Sequence, residues 1–101
     1  MNQQTSINEE NVKNAFRFIL RSEPDNAKLC RFQEMIGTIL TDMEERVIAQ
    51  RFGFYGNSSD EMPFSEIAVS FGVSVERIES VYRNAIIKMR SPFACKAILG
   101  E

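Results

Sequence analysis

Apolar residues recur along this chain three and four positions apart, with polar residues between them. Val12, Ala15, Phe16, Ile19 and Leu20 share one helical face, as do Leu29, Phe32, Met35, Ile36 and Ile39. A third segment runs from Glu45 through Val47 and Ile48 to Phe52, and a fourth carries Phe64, Ile67, Ala68 and Phe71. Ile78, Val81, Tyr82, Ala85, Ile86 and Met89 make the longest stripe. This spacing predicts amphipathic helices, each burying one face. Nothing alternates with a period of two for long enough to suggest a sheet, so the expected fold is all-α, a small helical bundle.

Local signals place the helix ends. Asn8 can cap a helix whose first turn holds Glu9 and Glu10, where carboxylates meet the positive end of the helix dipole. Pro24 disfavours helical backbone at Glu23, so that helix should stop near Ser22. Asp25 is a fair cap for the second helix, in which Gly37 marks either an end or a close packing point. Thr41 and Glu44 form a T-x-x-E capping box, and Gly53 should close the helix it opens. Residues 55–61, YGNSSDE, read as a turn-rich loop, and Pro63 suits the first position of the next helix. The last long helix should run from Val75 to about Met89, with Pro92 marking its end and a tail or short helix after it. Residues 1–7 look frayed. The organisation expected is a two-helix N-terminal extension (1–39), a helical unit (40–92) and a tail (93–101).

Residues 67–81, IAVSFGVSVERIESV, carry the spacing of a helix-turn-helix. Ala68 must be small because the second helix crosses close over it. Gly72 sits just past the first helix, where a left-handed backbone costs a residue without Cβ nothing. Ser74 can cap the second helix through its hydroxyl. Ile67, Phe71, Ile78 and Val81 would then pack into one small core. An ordinary αα-hairpin would share some of these features.

Composition narrows the chemistry. The chain has 101 residues, 44% hydrophobic and 26% charged, as expected of one soluble globular domain. No apolar run approaches the roughly 18 residues of a membrane span, and the polar, acidic N-terminus is no secretory signal. The expected location is therefore the cytoplasm, among nucleoid-associated proteins. With no His, no paired carboxylates in an apolar setting and no phosphate-cradling glycine loop, an enzyme is not expected, nor a metal or other cofactor. Cys30 and Cys95 lie in no metal-like spacing and should be buried free thiols; Lys28 and Arg31 flank Cys30 but give no triad. The net charge of −2 argues mildly against nucleic acid. Its distribution argues less so: residues 1–62 hold 7 Lys/Arg against 10 Asp/Glu, residues 63–101 hold 5 against 4.

The run LTDMEERVIAQRFGF, then a loop, then FSEIAVSFGVSVERIESVYRNAIIKMRSP, resembles region 4 of bacterial sigma factors of the primary-sigma class. Its elements here are Leu40-Thr41 with Glu44, Arg51-Phe52-Gly53, Glu66-Ile67, Phe71 with Val73-Ser74, Glu76-Arg77-Ile78, and Ala85 through Lys88, Arg90 and Pro92. The resemblance implies a domain that binds promoter DNA through its last helix and the flap of RNA polymerase through its first helices. It assigns base-edge contacts to Val75, Glu76, Glu79 and Ser80. Primary sigma factors usually carry Arg at the first and third of these and Gln at the fourth, so only Glu76 is retained. Arg is the commonest bidentate partner of guanine, and each lost contact removes roughly 1–3 kcal/mol of discrimination. The expectation is altered or weak sequence readout, with modest DNA affinity. Arg51, Arg77, Lys88 and Arg90 keep family-like basic positions for phosphate contacts, and Arg83 adds one. Solvation of an outer face would also account for these charges, and the helix dipole for Glu76.

Residues 1–39 contain none of the aromatic and basic strand-opening helix of complete sigma factors. A sigma-like region standing alone fits half of a split sigma factor with a second sigma-like chain, a phage or mobile-element regulator, an adapter docked on polymerase, or a decoy. The rival class is a polymerase- or sigma-binding module that has lost specific DNA binding. Its support is the acidic first 62 residues and the apolar pair Ile86-Ile87, which would serve a homodimer or partner contact unless Ile87 packs on Phe93 or Ile98.

Overall fold

The computed structural model describes residues 7–55 and 62–100, and these fold into six helices with no strand among them. Most of the 55–61 loop lies outside the described residues, as do residues 1–6. The first helix, α1, is Glu9–Leu20, with Asn8 accepting from the Asn11 N–H at its start. It ends at Arg21, whose left-handed backbone (φ 56°) is the one positive φ on a non-glycine among the described residues. The second, α2, is Asn26–Ile39, capped by Asp25. Gly37 is exposed inside α2 with open space around it, so it marks neither an end nor a close approach. The third, α3, is Asp42–Phe52. Its Thr41–Glu44 capping box is complete, and Gly53 closes it at φ 72°. The fourth, α4, is Phe64–Phe71, with Pro63 at the cap rather than at the first helical position. The fifth and sixth, α5 and α6, are Val75–Met89 and Pro92–Leu99; Pro92 both follows one helix and opens the other.

Two apolar cores hold these helices. The larger draws Val12, Phe16 and Ile19 from α1, Phe32 and Ile36 from α2, Ile48 and Phe52 from α3, Ala85 and Met89 from α5, and Ile98 from α6. At its centre the Phe16 and Phe32 rings meet edge to face at 5.2 Å, and burying each stabilises the fold by roughly 1.5–3 kcal/mol. The two N-terminal helices therefore share one continuous core with the helices after residue 40. Asn11 strengthens that junction: it is buried, and its side-chain amide donates to the Gly53 carbonyl at 2.9 Å. The smaller core gathers Val47, Ile67, Ala68, Ile78 and Val81, with Phe64, Phe71 and Val75 half-buried against it. Tyr82 packs against both cores.

Two further expectations are corrected. The thiols are free but not buried, Cys30 being exposed and Cys95 half-buried, because Cys30 faces away from the Leu29–Phe32–Ile36 stripe of α2. Ile87 is not buried by Phe93 or Ile98. It stands 63% exposed, Phe93 is exposed too, and Ile98 is wholly buried in the larger core. Ala85, Ile86 and Met89 already turn that core-facing side of α5 inward, which leaves Ile87 on the outer side.

Candidate nucleic-acid interface

Between α4 and α5 the turn is built by backbone geometry. Gly72 adopts φ 70° and donates its N–H to the carbonyls of Ala68 and Val69 at 2.8 and 3.2 Å, while the Val73 N–H also reaches Ala68, at 3.1 Å. A side chain at Gly72 would meet open space, so conformation alone requires glycine there. The Ser74 hydroxyl then accepts from the Arg77 N–H at 3.1 Å and starts α5. Ile67, Ala68, Ile78 and Val81 are buried between the two helices, as the spacing predicts, and Phe71 is half-buried at the edge.

Burying Ile78 and Val81 turns the opposite side of α5 outward. Glu76, Arg77, Glu79, Ser80 and Arg83 are all exposed on the first half of the helix. Val75 differs from the other base-reading candidates: it is half-buried and packs against the motif core. The N-terminal helices share the larger core with Ala85, Ile86 and Met89 of α5, and Arg90 just beyond it bonds the last turn of α1.

The five candidate phosphate contacts divide. Arg77 and Arg83 are exposed, and neither guanidinium has a partner among the described residues. Arg51 donates to the Met62 carbonyl at 3.2 Å and lies 4.4 Å from the centre of the Phe64 ring, bracing the approach to α4. Lys88 pairs with Glu44 at 2.8 Å. Arg90 donates to the carbonyls of Ile19 and Phe18 at 3.0 and 3.2 Å, so it satisfies the last turn of α1. Neither the Glu44–Lys88 pair nor the Arg90–α1 contact carried a local signal, since the partners lie 44 and more than 70 residues apart.

Glu44 links the capping box to the last helix. Its carboxylate accepts from the Thr41 N–H at 2.9 Å and from Lys88. Burial opposes its charge, but the hydrogen bonds from Lys88 and Thr41 outweigh that cost and hold the carboxyl below its ordinary range.

With this geometry in view, comparison with known families is decisive: residues 39–91 match the family described as Sigma-70, region 4, over just more than half of the chain. The chain belongs to the sigma-70 region 4 family. It therefore carries a DNA-binding helix-turn-helix of sigma-like regulatory type, in a family that is not enzymatic. Within the match, α3 opens the segment and α4 and α5 form the helix-turn-helix. The helices α1 and α2 lie almost wholly before the match and α6 after it. No curated protein and no solved structure matches the chain. Among the described residues there is no cluster of potential metal ligands, and no helix is long and apolar enough to cross a membrane.

Proposed function

We propose that this protein is a transcription regulator that places α5 in the major groove of promoter DNA while docked on RNA polymerase, and that it reads sequence weakly. The observation that carries this reading is the exposed stripe Glu76, Arg77, Glu79, Ser80 and Arg83 on a helix whose other side is buried. An α-helix fits the major groove, Glu can accept from a cytosine amino group, and Ser can bond several bases. Arg77 and Arg83 are suited to phosphates, which orient a protein without reading sequence. Two such cations beside two carboxylates support modest affinity from the chain alone, with polymerase supplying the rest. For that partner, a groove of about 340 Å³ between α3 and the helix-turn-helix is lined by Asp42, Met43, Arg46, Phe71 and Val73. This reading places the protein in the cytoplasm, at the nucleoid.

A second reading has its own support: three of the five candidate cations are engaged within the protein, which favours a polymerase- or sigma-binding module without specific DNA binding. Duplex retention measured against salt concentration separates the two. The DNA-binding reading expects salt-dependent retention that does not depend on sequence, with the log–log slope reduced by about 2 in the Arg77→Ala/Arg83→Ala double variant. No retention at low salt, together with stable co-purification with polymerase, would leave the interaction module standing alone.

A further inference from the structure

Three large apolar side chains stand open around one end of the bundle. Phe18 of α1 is 52% exposed, Ile87 of α5 63% and Phe93 of α6 68%. Arg90 joins them. It follows Ile87 by one helical turn and precedes Phe93 by three residues, and its guanidinium lies 5.5 Å from the centre of the Phe18 ring. Cations outnumber carboxylates around them, with Glu79 one turn before Arg83 on the same side of α5. No Asp or Glu occurs in residues 80–100 or in residues 11–22. Arg21, Arg83, Arg90 and Lys96 are exposed on these segments. Of the carboxylates that pair with these segments, Glu23 and Glu10 are held by Arg17 at 3.1 and 3.7 Å, and Glu44 by Lys88. A chain of net charge −2 thus presents an apolar face ringed by cations.

We propose that this face docks an acidic amphipathic segment of a partner protein. Leucine- or phenylalanine-like side chains of that segment cover Phe18, Ile87 and Phe93, and its carboxylates pair with Arg83, Arg90 and Arg21. Contiguous exposed apolar side chains rimmed by charge mark protein contacts, and an amphipathic helix laid on such a face is a common way to cover them. A nucleic-acid backbone fits less well, because phosphates would take the cations yet leave three apolar side chains in water. A second copy fits less well again, because a two-fold contact would set like charges face to face. Phe18 and Phe93 lie outside residues 39–91, so the surface is a property of the whole chain rather than of region 4.

The test uses the full chain and fluorescent helix-forming peptides. One carries Glu on one face and Leu on the other, a second has each Leu replaced by Ala, and a third has each Glu replaced by Lys. The Glu/Leu peptide should bind, and the other two should bind at least about tenfold more weakly. Ile87→Ser and Phe93→Ser each change an exposed side chain. Each should weaken the Glu/Leu peptide by about tenfold, with helix content and duplex retention unchanged. Equal binding of the Leu-to-Ala peptide would overturn the proposal. So would loss of duplex retention in Ile87→Ser with peptide binding intact, which would assign the face to DNA. A dimer by sedimentation that Ile87→Ser dissolves would assign it to a second copy. Peptide binding without any duplex retention would instead overturn the DNA-binding reading and leave this one in place.

Discussion

The two halves of α5 are made of similar residues and do opposite work. In the first half, Glu76, Arg77, Glu79, Ser80 and Arg83 point away from the protein, and only Ile78, Val81 and part of Val75 hold the helix down. In the second half, Ala85, Ile86 and Met89 enter the larger core, Lys88 is tied to Glu44 and Arg90 to α1. One helix is therefore a probe at its start and a strut at its end. The contrast teaches that a cation's place on a helix does not set its role: Arg77 and Arg90 are both exposed arginines, yet only Arg90 is bonded to a neighbouring helix.

The largest effects should come from the cores beneath the two halves. Phe32→Ala should cost about 3–5 kcal/mol and Ile78→Ala about 2–4 kcal/mol, out of a total that for such domains is about 5–15 kcal/mol. Denaturant unfolding followed by far-UV and near-UV circular dichroism checks both. A single coincident transition is expected, because α3, α5 and Tyr82 contribute to both cores. Separate transitions would mean that probe and strut fold independently.

Glu44→Gln should cost about 1–2 kcal/mol at neutral pH, by removing one ion pair and weakening a capping box. The pH dependence has a definite sign. The folded carboxyl titrates below its ordinary value of 4.5, so its contribution is fully present above that value and is lost as the pH falls through the lower, folded value. Stability measured from neutral to acid pH should therefore fall more steeply in the wild type than in Glu44→Gln. Parallel curves would show that Lys88 does not anchor the strut.

The smallest effects sharpen the comparison most. Arg90→Ala should lower stability by about 1 kcal/mol, since two α1 carbonyls lose a charged donor, and should leave duplex retention unchanged. Arg77→Ala should leave stability within about 0.5 kcal/mol while reducing the salt slope of retention by about 1. The reverse pattern, read by unfolding and by retention on the same samples, would exchange the roles of the two halves.

Residue order alone determined the helices and their ends. Asn8, Asp25, the Thr41–Glu44 box, Gly53, Gly72 and Ser74 all act where their types predict, because a cap bonds a neighbour three or four residues away. Apolar spacing likewise marked Ile67, Ala68, Ile78 and Val81 for burial, and the region 4 resemblance rests on the same local pattern. Only the tertiary structure decided which cations stay outside, that Val75 leans on the motif core, that Ile87 and Cys30 face outward, and that α1 and α2 join the core of the helices after residue 40. Those outcomes depend on how helices cross and on contacts such as Lys88 with Glu44 and Arg90 with Ile19, between partners far apart in the chain. A periodic stripe says which side of a helix is apolar. It does not say how much of the other side a neighbouring helix will cover.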